Sequence, residues 1–118
     1  GLYLRSNLFF FPSVYDNSPL VVREAASLHL PSLLVEGSNS SDIITDNING
    51  YTAKNTPKDM ADKIIAIFNS PERHKSVCDA VMNICRPWEK IIGSVAQKYN
   101  EVIEYTSFLD SVRITGYK

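Results

Sequence analysis

The sequence predicts an α/β fold: a three-layer α/β/α arrangement around a short parallel sheet of about three strands, followed by several helices toward the C-terminal end. Three observations predict it. Short continuous apolar runs, Leu8 to Phe11 and Leu33 to Val35, lack the polar alternation of a half-solvated strand and read as strands covered on both faces. Helix signals separate these runs, so strand and helix alternate, which implies parallel pairing through right-handed crossovers. Beyond Thr56 every signal is helical.

In order, residues 7–12 form the first strand, ended by Pro12, and 13–18 form a polar turn. Ser18 is a good N-cap and Pro19 suits the first helical position, with Leu20, Val21, Ala25 and Leu28 as the apolar side of the helix. Pro31 to Glu36 reads as the second buried strand. Gly37 to Ser41 reads as a flexible polar connection; it lacks a lysine and does not match a phosphate-binding Gly-x4-Gly-Lys pattern. Asp42 to Thr45 suits one helical turn. Asp46 to Gly50 is a turn cluster in which Gly50 can supply a positive φ, and Tyr51 to Ala53 is the third strand.

Thr56-Pro57-Lys58-Asp59 resembles a capping box. The stripe Met60, Ala61, Ile64, Ile65 and Phe68 then follows at helical spacing. Ser70-Pro71 opens another helix, with Val77, Cys78, Val81 and Ile84 inward. Pro87 interrupts, and Trp88 starts a third helix with Trp88, Ile91, Ile92, Val95, Tyr99, Val102 and Ile103 inward. Residues 107–118 form a weakly patterned tail.

Composition narrows the function classes. The 118 residues suit one domain, and 44 % hydrophobic with 21 % charged residues is an ordinary globular balance. With 12 basic and 13 acidic residues the net charge is -1, so there is no electrostatic case for a nucleic-acid partner. No apolar stretch approaches the roughly 20 residues of a transmembrane helix. Cys78 and Cys85 lie about 10 Å apart along a helix, beyond disulfide reach, and read as free thiols in a reducing compartment. His29 and His74 have no acidic or cysteine company and read as structural or solvent-facing; no metal site is expected. Arg23 reads as an exposed partner for a neighbouring acid.

The stretch from Phe11 to Ala26 carries the chemistry. It leads from a strand C-terminus into a helix N-terminus, the edge at which open parallel sheets bind ligands. Leu20, Val21 and Val22 would carry unpaired N–H groups suited to phosphate, and a carboxylate at Glu24 can accept two hydrogen bonds from a vicinal diol such as a ribose. Taken singly, Asp16 is a turn residue and Glu24 a solvated helix carboxylate.

Taken in order, the motifs resemble those of family-4-type (group 1) retaining glycosyltransferases. These have Pro-Ser after a strand, then Glu-x7-Glu, then Ala-x-Ala, then a strand opening with Pro. Here Pro12-Ser13 is followed by Asp16 and Glu24 with seven residues between, then Ala25-Ala26 and Pro31. Asp46-x-x-Asn49-Gly50-Tyr51, the helix Thr56 to Phe68 and Trp88-Glu89-Lys90 continue the resemblance over about residues 5 to 105. Asp16 in place of Glu shortens that reach by one methylene. Ser18-Pro19 stands where the family often has Phe-Gly, which removes a backbone donor.

The resemblance implies that the chain is the C-terminal, Rossmann-like part of the nucleotide-sugar-binding domain of a two-domain (GT-B) enzyme. Glu24 would bind the ribose. Asp16 would lie near the transferred sugar as the candidate catalytic residue. Asn17, Ser18, Pro19 and Leu20 would meet the sugar and diphosphate. A nucleoside-diphosphate sugar would be the donor, with no other cofactor and no metal. The cations that neutralise the diphosphate, and the N-terminal acceptor domain, would lie upstream of Gly1, so residues 1–118 alone are expected to be inactive. The implied role is retaining hexosyl transfer in cell-envelope polysaccharide or glycolipid synthesis, in the cytoplasm or peripheral to the inner membrane face. Exposed strand edges are expected to offer a route to a homodimer.

Two other classes stand against this reading. A receiver-like or other non-catalytic α/β interaction module needs clustered acids at the ends of early strands. A dinucleotide-binding half needs Gly-x-Gly-x-x-Gly after a strand, which is absent.

Overall fold

The computed structural model describes residues 1–17 and 19–115. The chain divides into two compact units, the first Gly1–Cys85 and the second beginning at Arg86.

The first unit is built on β1 (Phe9–Phe11), β2 (Ser32–Val35) and β3 (Tyr51–Ala53), a three-stranded sheet in the order β1-β2-β3. Both pairs are parallel, with Phe9 opposite Ser32 and Leu33 opposite Tyr51. Helices α1 (Leu20–Ala26), α2 (Pro57–Phe68) and α3 (Pro71–Ala80) belong to this unit, with 3-10 turns at Tyr3–Arg5, Asn39–Ile43 and Val81–Ile84.

Successive side chains of a strand point to opposite faces, and β2 is buried along its whole length. On one face Leu33 and Val35 join Tyr51, Met60, Ile67 and Val77 from β3, α2 and α3. On the other, Leu34 meets Val22 and Ala26 of α1 and Val81 and Ile84 of the last 3-10 turn. The predicted three-layer arrangement is therefore present, with the predicted strands in parallel.

The helices lie where the caps and apolar spacing put them, but two are turned. The buried residues of α1 are Val22, Ala25 and Ala26, while Leu20 and Leu28 are exposed. Ala25 and Ala26 have nothing beyond Cβ, so the helix seats closely on the sheet through them, and this contact rather than the largest side chains sets its phase. On α2, Met60, Ile64 and Ile67 face the core at i, i+4 and i+7, whereas Ala61, Ile65 and Phe68 are exposed. The Thr56 hydroxyl accepts from the Asp59 N–H at 3.1 Å and donates to the Asp59 carboxylate. The predicted capping box thus forms, with Asp reaching the hydroxyl rather than the backbone.

Helix α1 ends in a Schellman motif. Leu30 N–H donates to Ala25 O at 3.1 Å and His29 N–H to Ala26 O at 3.0 Å. His29 takes the left-handed position usually held by glycine, with φ 58°, and its ring Nδ1 donates to Cys78 O at 3.1 Å. The structural reading of His29 holds.

His74 is structural too, but not isolated. Its Nε2 donates to Asn7 O at 2.9 Å. A carbonyl can only accept, so that nitrogen carries the proton, and in the neutral ring Nδ1 accepts from Tyr51 Oη at 2.8 Å. The two rings stack with centroids 5.9 Å apart. Cys78, one helical turn on, brings its Sγ to 3.8 Å from His74 Nε2, so the expectation of no cysteine company is corrected. The i, i+4 spacing on a helix was the available signal.

The second unit contains α4 (Trp88–Thr115). It begins at the predicted Trp88 and absorbs the residues read as a tail up to Thr115; 116–118 lie outside the described residues. Its expected inward stripe is instead open: Trp88, Ile92, Val95, Tyr99, Val102 and Ile103 are exposed and Ile91 half-buried.

Tyr51 is 1 % exposed, and burial pushes its hydroxyl up from 10.0 to about 12, with the charges of Cys78 and Asp46 adding to the rise. The folded state then holds a proton that the unfolded chain releases above pH 10. Stability is expected to fall as pH climbs from about 10 to about 12, by roughly 2–3 kcal/mol from this group. Urea unfolding of the wild type and of Tyr51→Phe across that range should show the wild type losing this amount relative to the variant.

Candidate functional site

The parallel strands end together, so the segments that follow them collect at one edge of the sheet: 12–19 after β1, 36–41 after β2 and 54–56 after β3. The segment after β2 departs most from expectation. Gly37 turns the chain with φ 73°. A 3-10 turn then follows in place of a flexible loop, and it starts earlier than the helical turn expected at Asp42. Ser38, Ser40 and Ser41 are buried. Ser38 Oγ donates to Val35 O and Ser41 Oγ to Ser38 O, both at 2.7 Å. Hydroxyls that satisfy nearby carbonyls allow a polar segment to be buried rather than solvated.

This segment holds the loop after β1. Ser40 Oγ donates to Asp16 O at 3.0 Å, and Asn39 Nδ2 donates to Asn17 Oδ1 at 2.5 Å. The side chains of Asp16 and Asn17 are exposed, and Asp16 Oδ2 accepts from Ser13 Oγ at 2.7 Å. Ser18 lies outside the described residues. Pro19 is the N-cap of α1, with φ −62° and ψ 129°, rather than its first helical residue. Leu20 opens the helix and is exposed. Val22 N–H is taken by Pro19 O at 3.2 Å, which leaves Leu20 and Val21 as the first-turn donors without an intrahelical acceptor. With seven residues, α1 is less than two turns long.

Glu24 lies one turn further along α1. It is exposed, and its carboxylate has no hydrogen-bond or ion-pair partner among the described residues. Among the described residues Arg23 pairs with no acid. It is half-buried, and its Nη1 donates to Ile84 O at 2.6 Å, while Cys85 Sγ lies 3.6 Å from Arg23 O. The guanidinium thus locks α1 to the last 3-10 turn and keeps the adjacent Glu24 turned to solvent. Nothing in the local sequence marks an acceptor 61 residues away.

The structure therefore brings Asp16, Asn17, Pro19 and Leu20 into one loop-to-helix segment, with Glu24 on the outer face of that helix. It does not enclose them. Two cavities lie at the opposite edge, where the strands begin: one of about 200 Å³ lined by Tyr51, Lys63, Arg73 and His74, and one of about 370 Å³ lined by Asn7, Leu30, Phe68 and Cys78.

The turn at residues 46–50 also sits at that opposite edge, and its polar groups are occupied. Asp46 Oδ1 accepts from Thr52 N–H at 2.9 Å, and Oδ2 accepts from Asn47 Nδ2 and Lys63 Nζ, each at 2.7 Å. The positive φ belongs to Asn47, at 60°, not to Gly50. Gly50 sits in a crowded place: a Cβ there would lie 2.9 Å from Ile44 Cδ1, so that side chain would have to shift, and 3.4 Å from Ser32 O.

The family model described as glycosyl transferases group 1 matches residues 1–80. The chain belongs to this family. An uncharacterized glycosyltransferase of Methanocaldococcus jannaschii is 27 % identical over 94 residues, which cover 77 % of this chain and 27 % of the relative. The fold is shared with HepE of Anabaena, solved in complex with UDP, at a TM-score of 0.77 and 13 % identity over 85 % of this chain and 29 % of that one. It is shared also with sucrose-phosphate synthase of Thermosynechococcus elongatus, at a TM-score of 0.72 and 20 % identity over 88 % and 27 %. The group 1 chain thus has the α/β, Rossmann-like GT-B fold and spans less than a third of the length of these relatives.

Arg23→Ala should cost about 2 kcal/mol, the worth of a charged hydrogen bond to a part-buried carbonyl, read as a lowered urea midpoint.

Proposed function

We propose that this chain supplies the donor-binding wall of a group 1 glycosyltransferase, holding a nucleoside-diphosphate sugar at the C-terminal edge of its parallel sheet. One observation carries the reading. In a chain that belongs to this family, the Asp16-to-Glu24 segment leaves the C-terminal end of a parallel strand and presents an unpartnered carboxylate on the helix that follows.

Each residue then has a role. Glu24 accepts two hydrogen bonds from the vicinal hydroxyls of the ribose, for which a carboxylate with both oxygens unoccupied is suited. The N–H groups of Leu20 and Val21 face the diphosphate. Asp16 and Asn17, with Ser18 and Pro19, border the sugar, and the Asp16 carboxylate is the group nearest the transferred hexose. No metal enters this scheme. A departing nucleoside diphosphate needs positive charge, and the residues to which the family resemblance assigns that task lie outside this chain. The chain alone therefore binds without transferring. The acceptor is bound by a separate domain of the same polypeptide, and transfer retains the anomeric configuration in cell-envelope polysaccharide or glycolipid synthesis on the cytoplasmic side. HepE is described in complex with UDP-glucose, which makes UDP-sugars the first donors to test. No described helix is long and apolar enough to cross a membrane.

Titration of the isotope-labelled chain with UDP-, GDP- and ADP-sugars, followed by NMR, tests the reading. Millimolar donor should shift the amides of residues 13–24. Glu24→Ala should weaken binding about tenfold or more, and Asp16→Ala less, since its carboxylate is engaged with Ser13. Shifts confined to the cavity around Lys63 and Arg73, or none with any donor, would refute the assignment.

A further inference from the structure

The loop between β1 and α1 makes few attachments. Among the described residues, Ser40 Oγ to Asp16 O and Asn39 Nδ2 to Asn17 Oδ1 are the hydrogen bonds that tie residues 13–17 to the rest of the molecule. The remaining bond of the loop, Ser13 to Asp16, is internal to it. The two anchors differ in character. Ser40 is 1 % exposed, so its hydroxyl was desolvated on folding and is satisfied by the Asp16 carbonyl. Asn39 is exposed, and its amide meets the Asn17 amide at the surface.

We propose that Ser40 and Asn39 are positioning residues for donor binding: they clasp the 13–17 loop in the conformation that meets the sugar and diphosphate before the donor arrives. The inference rests on the donor-binding reading above. A loop of exposed residues that must be ordered when ligand binds subtracts that ordering from the affinity, and a loop already held does not. The clasp acts on the backbone of Asp16 and the side chain of Asn17, so it serves the sugar and diphosphate end of the donor. Glu24, on α1, is held through Arg23 and Ile84 instead. Affinity for the two ends of the donor should therefore separate when the clasp is cut.

The experiment compares the 118-residue chain with Ser40→Ala, Asn39→Ala and Asn39→Asp. Two quantities are read by NMR: the backbone order parameters of Asp16 and Asn17 from 15N relaxation, and the dissociation constants of the UDP-sugar and of UMP. Ser40→Ala and Asn39→Ala should each lower the order parameters of residues 13–17 and weaken the UDP-sugar about tenfold, with UMP unchanged. Asn39→Asp should behave as wild type, because the Asn17 amide can turn its NH2 toward the new carboxylate. Should Ser40→Ala fail to fold, the exposed Asn39 pair carries the comparison. Unchanged order parameters, unchanged UDP-sugar affinity, or parallel loss of UMP would overturn the clasp alone. A wild type that binds no sugar nucleotide would overturn the donor-binding reading, and the positioning role with it.

Discussion

Everything in the first unit hangs on β2. Its four residues are all buried, and it is the strand that pairs with both neighbours. Strands of three and four residues form few ladder hydrogen bonds, so the sheet cannot hold itself together by pairing alone. It is held from outside, by α1 and the last 3-10 turn on the Leu34 face and by α2 and α3 on the Leu33 and Val35 face. The volume around β2 is limited accordingly. Gly50 is one consequence, since a methyl group there would press on Ile44 and approach the Ser32 carbonyl. The two alanines by which α1 seats are another. A larger residue at Ala25 or Ala26 would lift the helix and, with it, the loop that bears the candidate site.

This dependence explains what the sequence could and could not disclose. Signals that act over a few residues were legible: the apolar runs of β1 and β2, the Thr56 cap, the proline helix starts at Pro57 and Pro71, the start of α4 at Trp88. Helix phase was not, because it is chosen by the surface on which the helix lands. Ile67 is buried and Ile65 exposed on α2, although both are equally apolar. The stripe on α4 was legible as a pattern, but a pattern does not say what covers it. The serine-rich segment after β2 misled for a related reason. Polar composition signals solvation only where hydroxyls have no nearby carbonyl to satisfy, and here Val35 and Ser38 provide one.

The candidate site divides in the same way. The spacing from Asp16 to Glu24, and its place between a strand end and a helix, were readable because they lie within one continuous segment. The partners that give the segment its shape were not. Asn39 and Ser40 lie 22 and 24 residues from the residues they hold, and Ile84 lies 61 from Arg23. Side-chain to backbone bonds across such distances leave no periodicity. A serine able to reach a carbonyl in a neighbouring loop looks, in sequence, like any other loop serine.

The two edges of the sheet are built to opposite specifications. Where the strands begin, many polar groups are engaged: Tyr51, His74 and Asn7 form one chain of hydrogen bonds, and Asp46 engages Thr52, Asn47 and Lys63 at once, although the buried Ser32 hydroxyl has no partner among the described residues. Such a network holds β3 to α2 and α3. Where the strands end, among the described residues, the Glu24 carboxylate has no partner and two hydrogen bonds hold the loop bearing Asp16. An exposed charge fully hydrated on a rigid helix costs the fold almost nothing, and its hydrogen-bonding capacity remains available to an incoming diol. The proposed donor site follows the exposed carboxylate on α1 rather than the cavities at the opposite edge.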